Sequence, residues 1–238
     1  MNTILPLLST IVTLIFAVAV FDQYLARRRP YQLLWAVGLG MYMLGTLMEF
    51  IAGAIGVSSA ILRVWYACGA MLTAAYLGMG TVYLLFPGRG TNVVMAVLVI
   101  ASVFAVYKVA VSPVDMAALG AHELSGSKAF PSGFGGPRLL TPFFNTFGAV
   151  TLVGGALWSA WSFWRRRIYP HRVVSNILIA LGALAPVWGG SLARAGNPSY
   201  LYLSELLGVT IIFLGFLRNK EVFGLYRFPL VHGFKRVS

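Results

Sequence analysis

Charge is what this sequence has least of, and negative charge is the scarcest. Only 10% of the 238 residues are charged, with 18 Lys and Arg against six Asp and Glu, where an ordinary soluble domain has about a quarter. A water-exposed surface cannot be built from that supply, so a soluble domain is excluded. Cysteine is nearly absent. Cys68 is alone, so no internal disulfide and no cysteine-based metal site can form, and its place in an apolar run marks it as a small packing residue. The three histidines, His122, His171 and His232, fall in expected loops or the tail, which removes an intramembrane histidine pair for haem or a catalytic metal. No P-loop, HExxH motif, GxSxG elbow or intramembrane aspartate pair is found, which weighs against an enzyme. Lys220 follows the last apolar run instead of lying within it, against a retinal Schiff base. No cofactor is implied.

What the chain has is hydrocarbon, 59% of its residues, spread along its whole length. Seven runs of about the 20 residues that a spanning helix needs are bounded by charged, Gly or Pro residues: 3–25, 31–55, 60–86, 91–111, 140–164, 172–194 and 199–219. An all-α integral membrane protein of seven transmembrane helices is the expected fold, with residues 1–219 as one domain. Ala17-Val18-Ala19 imitates a signal-peptide cleavage site, but no positive charge precedes the apolar stretch, so it is expected to be retained as the first helix. The connections are short except for the 28 residues from Ser112 to Leu139, rich in Gly, Pro and Ser.

The net charge of +12 would suggest nucleic acid as the partner of a soluble protein. Here the basic residues sit in short clusters between apolar runs, so the partner they imply is the lipid bilayer and not nucleic acid. Thirteen of the 18 fall on one side of the expected spans and five (Arg63, Lys108, Lys128, Arg138 and Arg194) on the other. Basic residues near span ends stay in the cytoplasm, which predicts an outside N-terminus, a cytoplasmic C-terminus and an outer loop at 112–139, in a multi-pass protein of the plasma (inner) membrane. Tyr24, Tyr31, Trp35, Trp161, Trp164 and Tyr169 read as an aromatic belt at the cytoplasmic border. The tail, 220–238, interleaves Phe223, Tyr226, Phe228 and Phe234 with Arg227, Lys235 and Arg236. It is expected on the cytoplasmic lipid surface, or as the dock for a protein partner.

The first span ends in ARRRPY and the fifth in WRRRIYP, while Gly38 and Gly45 in the second span match Gly182 and Gly189 in the sixth. This predicts a 3+1+3 parallel repeat, 1–86 and 140–219, around a connector helix at 91–111. The layout resembles that of the sugar-transporting and vitamin-transporting seven-helix families. The resemblance covers topology alone: the Pro-Gln signature of the sugar transporters is absent, so neither substrate nor binding residues carry over.

Ionisable side chains within a bilayer are costly and mark candidate sites. Glu49, Arg63, Lys108, Arg194 and Glu205 qualify, all in the expected outer half. Glu49 shares a small and polar stripe with Gly38, Tyr42, Gly45 and Thr46, and Glu205 shares its side of the helix with Tyr202, Gly208 and Gly215. Glu49 with Arg63, and Arg194 with Glu205, are expected to compensate each other's charge. Asn145, Thr146, Ser175 and Asn176 are expected to bond between helices. Three functions fit: binding or transport of a small polar solute in an outer-half cavity formed by these residues, with 112–139 as its lid; a sensor or assembly module acting through a protein partner at the cytoplasmic face; and an intramembrane lipid-modifying enzyme with Glu49 and Glu205 as its acid and base.

Overall fold

The computed structural model describes residues 3–133, 136–194 and 199–221, with the side chains at 193–194 and 219–221 left out. The expected tail therefore lies almost wholly outside the described residues. Within them the chain is helical and carries no strand. Seven helices are long and apolar enough to cross a membrane: α1 (Ile4–Arg27), α2 (Pro30–Ile55), α3 (Ser59–Leu85), α4 (Arg89–Val111), α5 (Thr141–Arg165), α6 (Pro170–Arg194) and α7 (Ser199–Glu221). Their bounds agree with the seven apolar runs to within two residues. Chain punctuation explains the agreement. Pro30 and Pro170 each open a helix at a position where a missing N–H costs nothing, and Arg28 and Arg167, at φ 51° and 52°, turn the chain in the left-handed region between α1 and α2 and between α5 and α6.

Six helices close a ring in the order α1, α2, α3, α5, α6, α7, with α7 returning to α1. Helix α4 stands outside it, against α3. One side of α4 (Leu98, Ser102, Ala105, Val109) is buried, while Val97, Ile100, Val103 and Phe104 are exposed. All short connections except two meet at the end of the bundle carrying Arg27, Arg89, Arg165 and Arg172, called here the basic end; the 112–139 segment lies at the other, the loop end.

Lipid is as apolar as Leu, so helices associate by close packing and polar contacts instead of by a hydrophobic drive. The glycines supply the close packing. A Cβ on Gly45 would lie 2.7 Å from the Gly69 Cα, so α2 and α3 touch backbone to backbone. In α6 and α7 the approach is reciprocal: a Cβ on Gly182 would lie 2.6 Å from the Gly208 carbonyl oxygen, and one on Gly208 2.7 Å from that of Gly182. Pro186, within α6, has no N–H to offer the Gly182 carbonyl four residues back. Asn145 bonds between helices as expected, donating to the Ala70 carbonyl at 3.0 Å, whereas Ser175 bonds back to His171 in its own helix.

Two features depart from the sequence reading. Helix α3 is not uniform: Tyr66–Leu72 is wound as a π-helix, and the Thr73 hydroxyl donates to the Cys68 carbonyl five residues back. Trp35 is not part of the border belt. It turns into the bundle, where its indole N–H donates to the Leu77 carbonyl at 3.1 Å. Tyr24, Trp161 and Tyr169 do sit at the basic end, each stacked by an arginine (Arg28, Arg165 and Arg172).

Candidate functional site

Glu49 lies six residues before the end of α2 and Glu205 six residues after the start of α7, so both are about 9 Å inside the loop end at 1.5 Å per residue. The ring brings them together. Their carboxyl groups face one another within hydrogen-bonding reach. Glu49 is 3% exposed and its Oε1 accepts a bond from the Trp65 indole N–H at 2.8 Å. Each glutamate has a buried Oε2 that receives no donor from the described residues. The Tyr42 hydroxyl donates to the Glu205 backbone carbonyl at 3.0 Å, tying α2 to α7, and Tyr202, buried one turn before Glu205, completes the surround.

The other expected members are placed differently. Arg63 does not reach Glu49. Its guanidinium donates to the Val109 carbonyl, to Ala110 O at 2.8 Å and to Ser112 O at 2.9 Å, while Nε donates to Ser59 Oγ at 3.1 Å. It thus caps the C-terminal carbonyls of α4, which have no partners within that helix and carry the negative end of its dipole. Lys108 is on α4, outside the ring. The Arg194 side chain lies outside the described residues. Neither glutamate has a cationic partner among the described residues.

Trp65 was missed in the sequence, although a signal for it was present. Glu49 and Trp65 are nearly equidistant from the short turn joining α2 and α3, and residues equidistant from such a turn lie at the same depth.

The 112–139 segment packs over this end. Val57 N–H donates to Ala121 O at 2.9 Å, and His122 Nδ1 bonds Ala52 O at 2.9 Å. Phe130, 2% exposed, stacks on Tyr66 with ring centroids 4.8 Å apart, and the Tyr66 hydroxyl meets Thr141 Oγ1 at 2.8 Å. Lys128 pairs with Glu123 at 2.7 Å.

A separate cavity of about 130 Å³ opens inside the ring at the basic end. None of Tyr42, Glu49, Arg63, Lys108, Tyr202 and Glu205 lines it. Among the described residues no cluster of three or more His, Cys, Asp or Glu could hold a metal ion.

Seven apolar helices with charge confined to their ends and to one interior pair define the class: a polytopic membrane protein. Comparison of the chain with family models, with curated proteins and with solved structures found no match.

Proposed function

We propose that this chain binds a small polar solute within the ring, at the Glu49–Glu205 pair, and moves it across the membrane. The observation that carries the reading is that pair: two interior carboxyl groups from different helices, each with a buried oxygen that finds no donor among the described residues. Two buried carboxyl groups this close cannot both ionise, so the pair holds at least one proton, and its remaining oxygens are open to a donor from outside the protein. Arg63, the nearest candidate in sequence, is engaged on α4. A solute that donates hydrogen bonds or brings positive charge would satisfy both free oxygens, and the 112–139 segment covers the site as a lid.

The repeat supports movement as well as binding. Contacts follow the same cyclic order in α1–α3 and α5–α7. Gly38 and Gly45 seat α3 on α2, and Gly182 and Gly189 seat α7 on α6. The two glutamates come one from each half, so rocking of the halves would open and close the site, as in repeat-built transporters. In this reading the basic end faces the cytoplasm of a plasma membrane.

The test is native mass spectrometry of the protein released from lipid nanodiscs. A small molecule retained by the natural chain, and lost in both Glu49→Gln and Glu205→Gln, is the expected result. Retention in both variants would remove the pair from the site, and recovery of a stoichiometric protein partner instead would favour a sensor or assembly role.

A further inference from the structure

The cavity at the basic end lies in the opposite half of the ring from the carboxyl pair. Leu39, on its wall, is ten residues from Glu49, or about 15 Å along α2. The wall is largely hydrocarbon, with Phe16, Leu39, Leu77, Ile179 and Phe216 from five helices. Space on the sixth, α5, is left by Gly155 and Ala156.

Four polar side chains interrupt this wall, and two are engaged. The Trp35 N–H and the Thr81 hydroxyl both donate to the Leu77 carbonyl. The Ser159 hydroxyl, on α5, and the Asn176 amide, on α6, also line the cavity; among the described residues neither meets a protein partner. Other hydroxyls in the spans are engaged. Thr13, Ser102, Thr151, Ser175 and Thr210 all bond the carbonyl four residues back in their own helices. Both residues are part-buried, so each has a hydrogen bond to offer a molecule that enters the cavity.

We infer that this cavity is a binding site for a neutral, mainly apolar molecule, or the ring portion of a larger one, bearing a hydroxyl or carbonyl held by Ser159 and Asn176. The size follows from the volume. An engineered cavity of about 150 Å³ accepts benzene, so about 130 Å³ suits one six-membered ring. Neutrality follows from the lining, which contains no charged residue among the described residues. The polar group follows from the two free side chains, which a plain hydrocarbon would leave unpaired.

The experiment uses the full chain in nanodiscs, with 4-fluorophenol as probe, fluorobenzene as the control lacking the hydroxyl, and empty nanodiscs to subtract partitioning. Binding is read by ligand-observed fluorine NMR. Saturable binding of 4-fluorophenol is expected. Asn176→Leu, similar in volume, should weaken it about tenfold, the loss of one hydrogen bond, while leaving fluorobenzene unchanged, and Ala156→Leu should abolish both by filling the space. Ser159→Ala provides a second test of the polar contact should Ala156→Leu not fold. Equal binding of both probes, insensitive to Asn176→Leu and Ser159→Ala, would overturn the inference in favour of a pocket for lipid acyl chains. No saturable binding above empty nanodiscs would overturn it in favour of a space filled by water.

Discussion

Arg63 shows how a side chain within a span can be given the wrong partner. Its position across the hairpin from Glu49 suggested an ion pair, but the guanidinium donates instead to three carbonyls at the end of α4. The consequence belongs to α4, which touches little else. Arg63→Ala should leave solute binding at Glu49–Glu205 intact and weaken the docking of α4 by about 1–3 kcal/mol, the worth of hydrogen bonds to a charged group. Hydrogen exchange at residues 105–112 would detect this as faster exchange confined to that helix end; unchanged exchange would show that the cap is not what holds α4. Glu49, Glu205, Tyr42 and Tyr202 were legible because polar residues in a span have few places to go except inward. Trp65 was not, because indoles are common both inside bundles and at lipid borders, and only the partner distinguishes the two. Trp35 was misread for the same reason.

At the scale of the helix, glycine spacing determines which helices lie close. Gly45 and Gly69 bring α2 and α3 to backbone contact, and this places Trp65 within reach of Glu49. A side chain at position 45 cannot be accommodated by rotating a neighbour, since the obstructing atom is backbone. Gly45→Val should therefore force the helices apart at a cost of about 1–3 kcal/mol, typical of overpacking. Gly40→Val, where nothing lies within 4 Å of the added Cβ, is the control. Thermal unfolding in detergent, followed by circular dichroism, should show a lowered midpoint for the first and not the second; equal midpoints would refute the close-packing argument. The π-helical turn at Tyr66–Leu72 is also an element-scale feature, and nothing in YACGAML announces it. Each of its residues accepts ordinary helix, and the wider turn is stabilised by contacts from outside, among them Asn145 of α5 on the Ala70 carbonyl.

For the whole molecule, the six-helix ring and its two ends make orientation testable with one label. On a Cys68→Ala background, a cysteine at Ser125 in the 112–139 segment should react with a membrane-impermeant maleimide added to intact cells, and one at Arg89 should react only after lysis. The reverse pattern would invert the proposed topology. The sequence by itself determined the number of helices, their bounds and the gathering of most basic residues at one end. Those follow from the hydrocarbon length of a bilayer and from the cost of burying charge, which act on each segment regardless of its neighbours. Only the tertiary structure decided that α4 leaves the ring, that Glu49 meets Glu205 while Arg63 turns away, and that Ser159 and Asn176 share an apolar cavity with Trp35. These depend on which helix faces which, and in lipid, where every apolar face is equally at home, that choice is made by small residues in close contact and by individual hydrogen bonds between segments far apart in the chain.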